Sequence, residues 1–415
     1  MEFVSSGIFY ILMFLSVYVQ VFFLLTFLEN RKRITIRQGK VRLAQYPAVT
    51  ILVPCWNEEK TIYKTACSLL NLHYPKDKLH IFLINDGSTD GTWNTIRRFR
   101  KHPNIKVFNK KNGGKYTALN LGLENLETPF VGCLDADSYA DPEALVRIMS
   151  YFEKDSEIMA VASAAVIYNP QTLIQSAQQI EYHISAFTKK MLGTLNALHV
   201  TPGTLPVYKR EVFDRLGGFK KAYNSEDGEI ALRMHANKMK IDYCHEAVVH
   251  TLGPDTLRGL FRQRVRWMYG FLRNLMDYRF LLLKRQFGHL AFFTLPAALI
   301  SIVTVVYVFG RMAVKIANFI AQKIGYYQTV GFSLSDSAPR FDLFYMNTKI
   351  TFFLLVIFSS MLLMTIIFGR NLVDKKSKFY TRHIFTYVVL YGALAPFWLL
   401  KSIYNLFRGR QAIWR

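Results

Sequence analysis

The feature that most limits what this chain can fold into is the absence of charge from four stretches. Residues 7–28 hold no Asp, Glu, Lys or Arg. As a helix rising about 1.5 Å per residue they would reach ~33 Å, enough to cross the hydrocarbon core of a bilayer. Residues 350–369 are equally uncharged, and residues 289–310 carry only His289. Residues 384–400 are apolar, and the run extends past Lys401 to Phe407. Helices inside soluble proteins are rarely this long without charge. A cleaved leader suits residues 7–28 poorly, because no basic residue precedes the run and no small-residue cleavage site follows it. Arg31, Lys32, Arg33, Arg37, Lys40 and Arg42 follow instead. An excess of Lys and Arg marks the cytoplasmic side, so the chain is expected to enter the cytoplasm there, with its N-terminus outside.

The far end does not balance on the same rule. One early and three later spans would leave the C-terminus outside, yet Arg408, Arg410 and Arg415 favour the inside, and the loop 370–383 is also basic. Either the tail departs from the rule, or a re-entrant or further membrane segment lies within residues 311–349. Across the chain, 52 Lys and Arg stand against 29 Asp and Glu, a formal net charge of +23. That excess suits anionic lipid headgroups and an anionic substrate. Nucleic acid would satisfy the charge but not the membrane runs. Aromatic residues at 15% exclude a disordered chain. Four cysteines without a CxxC pair (Cys55, Cys67, Cys133, Cys244) suit a reducing compartment and argue against a disulfide scaffold or a zinc ribbon.

Between residues 43 and 285 the pattern changes. Short apolar runs (Val49–Pro54, His80–Asp86, Ile105–Asn109, Pro129–Asp137) alternate with helical ones (Glu58–Leu72, a helix from Asp90, Lys115–Asn125, Asp141–Glu153). Such alternation predicts parallel βαβ units with helices on both faces of a sheet. In these sheets ligands bind beyond the carboxyl ends of the strands. Those ends are polar here: Cys55-Trp56-Asn57-Glu58, Asn85-Asp86-Gly87-Ser88, and Asp135-Ala136-Asp137. One Asp at a strand end often caps the next helix. Two neighbouring acidic ends bring carboxylates together, which repel unless a cation or a donor neutralises them. Oxygen-rich clusters suit Mg2+ or Mn2+ shared with substrate phosphates, and capping stands as the alternative.

Further along lie Gly113-Gly114-Lys115 with Ala118-Leu119-Asn120, Ser225-Glu226-Asp227, and Gln263-Arg264-Val265-Arg266-Trp267. Taken in order, these motifs resemble glycosyltransferase family 2. They most resemble its membrane-integrated processive branch, which includes poly-N-acetylglucosamine, hyaluronan, chitin and cellulose synthases. The resemblance runs from Val49 to Trp267 and implies an α/β GT-A (Rossmann-like) cytoplasmic domain inserted between transmembrane α-helices. The expected divisions are 1–42 (first transmembrane helix and basic linker), 43–254 (GT-A domain), 255–288 (amphipathic interfacial helices) and 289–415 (C-terminal transmembrane region of three or more helices).

The resemblance also implies roles. Trp56 lies where the family sets an aromatic against uracil, with packing at a strand end as the plainer reading. Asp86 matches the Asp that accepts a hydrogen bond from uracil, although Asn85 replaces the preceding acid. Lys115 and Asp135 would contact the nucleotide. Asp137 would ligate Mg2+ or Mn2+, with His250 as a second candidate ligand. Gly203 and Thr204 lie where the family has a glycine-containing loop near the acceptor. Asp227 would be the catalytic base, and its alternative reading is an N-cap for the helix that follows. Glu226, Gln263, Arg266 and Trp267 would line the acceptor side, with the Trp beneath the sugar. Residues 256–285 also read as a basic amphipathic helix on lipid headgroups, and residues 170–198 as a second interfacial helix.

The implied activity is inverting, processive transfer from a UDP-sugar, UDP-N-acetylglucosamine as first choice, to a growing β-linked polysaccharide that is passed across the membrane. The alternatives are transfer of one sugar to a lipid carrier and a hyaluronan-type synthase with two donors. Retention of Asp86, Asp135, Asp137, Asp227 and Trp267 argues against a degenerate scaffold. Implied partners are the UDP-sugar, the polysaccharide and the bilayer, with room for an export or accessory subunit and none for nucleic acid. The implied location is multi-pass in the cell membrane, with the catalytic domain cytoplasmic.

Overall fold

Val49–Cys55 (β1) is a β-branched run too short for a buried helix and closed by polar residues, so it forms a strand. The same logic holds for β2 (Leu79–Asp86), β3 (Ile105–Lys110) and β4 (Phe130–Leu134). Four further strands follow: β5 (Ser138–Ala140), β6 (Ile158–Ile167), β7 (Thr204–Lys209) and β8 (Lys240–Thr251). In the structure, a computed structural model that describes residues 2–35, 39, 41–331, 351–374 and 380–409, they form one sheet of order β3-β2-β1-β4-β7-β6-β8-β5.

The strands β3-β2-β1-β4 are parallel, as the alternation predicts. Beyond β4 the sheet is mixed. β7 runs antiparallel to β4 and β6, β6 is parallel to β8, and β5 is antiparallel to β8. Six-residue runs such as Thr204–Lys209 carry no sequence signal of direction; their partners decide it.

The helices are α1 (Glu2–Thr35), α2 (Ile62–Leu70), α3 (Thr92–Ile96), α4 (Lys115–Glu124), α5 (Ala144–Lys154), α6 (Leu173–Thr194), α7 (Arg210–Leu216), α8 (Glu226–Ala236), α9 (Leu257–Asp277), α10 (Leu295–Val330), α11 (Thr351–Val373) and α12 (Thr381–Arg408). The helix expected from Glu58 runs from Ile62, and the Glu58 carbonyl accepts from Thr61 and Ile62 in the turn that leads into it. Ile51 and Val53 of β1 join a core with Ile62, Ala66 and Leu69 of α2 and Ile148 of α5. Leu52 points the other way, beneath Gly122 of α4. Side chains of one strand alternate between faces, so both faces of the sheet are covered.

The chain divides into two units, Met1–Leu25 with Ala297–Thr365, and Thr26–Pro296 with Ile366–Arg415. The first is built of apolar helix. Its Phe14, Tyr18, Val303, Phe319, Phe352 and Leu355 are exposed, as expected where the solvent is lipid. The second holds the sheet together with α6, α9 and α12, which pack on one another. α6 starts at a capping box: Thr172 Oγ1 accepts from Gln175 N at 3.1 Å, and Gln175 Oε1 accepts from Thr172 N at 3.3 Å. Expected as an interfacial helix, α6 buries Ala177, Ile180, Ala186 and Met191 and packs on β6, β8 and α12.

Among the described residues four helical stretches are long and apolar enough to cross a membrane: Gly7–Lys32, Leu290–Thr329, Phe352–Val373 and Thr381–Arg408. Residues 311–330, part of the region where a further segment was weighed, continue α10. Residues 332–350, Arg37, Lys40, Arg410 and Arg415 lie outside the described residues.

Candidate active site

The strand-end loops of β1 and β2 are tied to each other. Asn57 adopts a left-handed backbone (φ 55°) just after half-buried Trp56. Its amide donates to Ser88 Oγ at 3.0 Å, and its side-chain oxygen accepts from Thr89 N at 2.8 Å. Asp86 ends β2 and is buried. Its carboxylate takes the Lys110 ammonium at 2.6 Å and the amides of Gly113 and Gly114 at 3.1 and 2.8 Å. Amides and an ammonium on one carboxylate are charge-assisted bonds, the stronger kind. Asp86 thus fixes the glycine loop from which Lys115 opens α4.

Lys115 meets the acids of two other elements. Its Nζ lies 2.7 Å from Asp135 Oδ1, just past β4, and 2.9 Å from Glu226 Oε1, the first residue of α8. Burial works against its charge, but Asp135, Glu226 and Asp227 outweigh burial and hold the ammonium well above its ordinary value. Burial, then Glu226, raise the Asp227 carboxyl, with Lys115 opposing. Glu226 goes the other way: burial would raise it, and its ion pair with Lys115 brings it below the ordinary value. Lys115 does not face these three carboxylates alone: Arg266 acts on Glu226, and Lys189 lies near Asp227.

Two backbone features aim these groups. The β4–β7 pairing shifts register between Gly132 and Leu134, so the chain leaves the ladder at Asp135. The Asp135 amide then bonds the Gly203 carbonyl at 2.8 Å. A Cβ on Gly203 would come within 2.5 Å of Asp135 Oδ2, so only glycine lets this loop lie against the carboxylate. Thr204 begins β7 with a buried hydroxyl that finds no partner among the described residues. On the other side, Thr201 N and Oγ1 donate to the Asp227 carbonyl at 3.2 and 3.0 Å, and Tyr208 OH bonds Thr201 Oγ1 at 2.8 Å.

The turn before Asp227 is strained. Ala222, Tyr223 and Asn224 all have positive φ (38°, 57°, 62°), a region costly for residues with a Cβ. Helix α9 holds the turn in place. Arg266 donates to the Asn224 carbonyl at 3.3 Å, Asn274 to the Ser225 carbonyl at 3.0 Å, and the Arg273 guanidinium lies over the Tyr223 ring at 5.1 Å. A Cβ on Gly270 would sit 2.5 Å from Ser225 Cβ, so glycine sets how near α9 approaches. Gly270, with Arg266, Arg273 and Asn274, is therefore the docking edge of α9. Trp267 is 39% exposed, with the Arg264 guanidinium 4.3 Å from its ring centre.

The structure brings together Lys115, Asp135, Gly203, Glu226 and Asp227, and docks the helix bearing Gln263, Arg266 and Trp267 on the turn that carries Asp227. Asp86 stands behind the glycine loop, with its carboxylate oxygens bonded within the protein. Asp137 accepts from Ser138 Oγ at 3.3 Å. His250 pairs with Tyr139 across β5 and β8 and meets the Tyr168 ring edge-on; its charged neighbours are Asp141, Asp374 and Lys64. Among the described residues no three His, Cys, Asp or Glu side chains gather as a ready-made metal site. A divalent cation still fits the donor chemistry, since Mg2+ commonly takes one or two carboxylates and draws its remaining ligands from water and phosphate.

Sequence reasoning missed Arg264, Glu181, Tyr182 and Tyr391. Arg264 sits at a variable position of QxxRW, and Tyr391 lies inside an apolar run. Tyr182 of α6 has Arg264, Glu181, Asp137 and Asp135 as charged neighbours, and burial pushes its hydroxyl up. In a mostly polar helix the Glu181-Tyr182 pair carried no signal of its own.

Residues 50–217 match the family model "Glycosyl transferase family 2". The chain therefore carries a family 2 glycosyl transferase domain, with a GT-A-like sheet and flanking helices long and apolar enough to span a membrane. It is similar to poly-beta-1,6-N-acetyl-D-glucosamine synthase of Staphylococcus epidermidis, 32% identical over 228 residues, 54% of this chain and 55% of the relative. The synthase of that name from Staphylococcus aureus is 30% identical over 236 residues, 56% of this chain and 57% of the relative. The chain thus spans about half the length of the curated relatives it matches. A mannosyltransferase from Pyrobaculum calidifontis, solved with GDP-Man and Mn2+, shares the fold: TM-score 0.52, 19% identity, covering 88% of this chain and all of that one.

Proposed function

We propose that the chain is a membrane-embedded, inverting, processive glycosyltransferase that polymerises a UDP-sugar, UDP-N-acetylglucosamine as first choice, into a β-linked polysaccharide and helps carry it across the membrane. The observation that carries this reading is the cluster of half-buried Asp135 and Asp227 and buried Glu226 around Lys115, with the Trp267 helix seated on the same turn. The names of the staphylococcal relatives support the donor choice, and the four apolar helices support the membrane setting. The basic residues that follow the uncharged run 7–28 favour a cytoplasmic catalytic domain.

In this reading Asp227 takes the proton from the acceptor hydroxyl as that oxygen attacks the anomeric carbon from the face opposite UDP. One displacement inverts the configuration. The raised carboxyl of Asp227 makes it a stronger base than an exposed Asp, provided it is ionised. Trp267, partly exposed, would lie beneath the acceptor sugar, and Gln263, Gly203 and Thr204 are assigned to the same acceptor. Glu226 holds Lys115, and Arg266 lies on the leaving-group side. Trp56 and Asp86 frame the uracil, and Lys115 with Asp135 faces the nucleotide. Asp137 would hold Mg2+ or Mn2+, with His250 as a second candidate ligand, and the metal would supply Lewis-acid neutralisation of the diphosphate.

The test is UDP release by the purified protein in lipid with Mg2+ or Mn2+, across a panel of UDP-sugars, with product size measured in the same samples. One productive donor and a long polymer is the expected result. Short or lipid-linked product would move the assignment to transfer of a single sugar, and two required donors would move it to a hyaluronan-type synthase.

A further inference from the structure

Arg264 belongs to α9 and is 5% exposed. A buried guanidinium needs partners, because leaving a charge uncompensated away from water is costly; here the two amino groups find them, while Nε has none among the described residues. Its partners come from three elements. It forms an ion pair with Glu181 of α6. One amino group donates to Gln263 Oε1 at 2.6 Å, and the other reaches Tyr391 OH of α12 at 3.3 Å. Tyr391 OH in turn donates to Glu181 Oε2 at 2.6 Å, which closes a triangle between α6, α9 and α12. One residue further on, Ser402 Oγ of α12 donates to the Val265 carbonyl at 3.2 Å. The remaining face of the guanidinium lies over the Trp267 ring, 4.3 Å from its centre. A planar cation with fixed edge donors can satisfy Glu181 and Tyr391 and still present a flat face to an indole; a lysine ammonium cannot do both.

We propose that Arg264 is a positioning residue: held by Glu181 and Tyr391, it backs the Trp267 ring and so links α12, a membrane-span candidate, to the acceptor end of the site. The consequence is chemical and specific. An indole pinned on one face by a guanidinium presents its other face at a fixed angle, as a sugar platform must. A movement of α12 that withdrew Tyr391 would loosen that platform without touching the groups around Lys115. This inference rests on the acceptor role given to Trp267 above.

The experiment uses the full chain in lipid nanodiscs. Tyr391→Phe removes one hydroxyl and leaves the packing, and Arg264→Lys keeps the charge but not the plane. Product length and apparent KM for an oligosaccharide acceptor are measured beside acceptor-free UDP release. Solvent access to Trp267 is read by acrylamide quenching, assigned by difference from Trp267→Phe. The expected result is about tenfold weaker acceptor use and shorter product in both variants, with UDP release unchanged and Trp267 more easily quenched. Tyr391→Trp is expected to fail in the same way, while Glu181→Gln, which keeps an acceptor for Arg264, gives partial rescue. Unchanged quenching and product length in both Tyr391→Phe and Arg264→Lys would overturn the proposal. Equal loss of UDP release and elongation would also overturn it, since that marks a structural role. If the wild type makes no polymer from any donor, the functional reading fails, and the quenching result alone still decides whether Arg264 positions the ring.

Discussion

On the β1–β2 side of the site, functional groups are held by residues close in the chain, whereas on the α8–α9 side they are held from far away. Asp86 bonds Lys110, Gly113 and Gly114, which follow it by 24 to 28 positions. Asn274 reaches Ser225 across 49 positions, and Tyr391 reaches Glu181 across 210. Short loops lose little entropy on closure and can satisfy their own polar groups. The acceptor side depends on helices docking to within a methyl group of each other, and there a strained turn at Ala222–Asn224 stays in place because α9 covers it. The two sides meet at Lys115, which leaves a local loop and ends between Asp135 and Glu226.

That contrast can be broken at its strongest point first. Asp227→Asn is expected to lower transfer by about 1000-fold while UDP affinity is retained, measured by turnover beside calorimetric UDP binding. Retained turnover would remove Asp227 as the base. Because burial and Glu226 raise this carboxyl, a growing fraction is protonated as pH falls toward its raised pKa. The acid limb of the wild-type rate profile should therefore lie above the ordinary Asp range of about 4.

Lys115→Met tests the meeting point. Loss of the shared ammonium is expected to lower turnover by about 100-fold. Since Lys115 opposes the rise of Asp227, the acid limb of kcat against pH should also move further up. A limb that stays in place would show that the two sides are electrostatically independent.

Smaller effects separate the sides. Gly270→Ala forces a methyl against Ser225, with an expected stability loss of about 1–3 kcal/mol by denaturant unfolding and a rise in acceptor KM. Asp86→Asn should act on the opposite side, weakening donor binding severalfold by titration and leaving acceptor KM alone. If both variants changed both constants equally, the division into a local and a long-range side would not stand.

What was legible in the sequence follows the same division. β1 to β4, the acidic strand ends and the Gly113–Lys115 loop could be read because each is a short-range pattern of strand, turn and helix start. Asp135, Glu226 and Asp227 could be named as acids, but the pairing of the first two with one lysine could not, since β4, α4 and α8 meet through tertiary packing. Arg264 was quoted as part of a motif without a role, because its partners Glu181 and Tyr391 sit on helices that no periodicity connects to α9. Residues 170–198 read as a surface helix, since a packed face against β6 and β8 looks much like one against lipid headgroups.

By itself the sequence determined the class of fold, the four membrane-length helices and the identity of the acids and aromatics available for chemistry. These follow from local propensity, hydrophobic period and charge, which act over a few residues at a time. Only the tertiary structure decided the sheet's mixed direction, the convergence on Lys115 and the Glu181–Arg264–Tyr391 triangle behind Trp267. Those rest on close approach and on compensation of buried charge, and both are properties of surfaces that exist only once distant parts of the chain have packed.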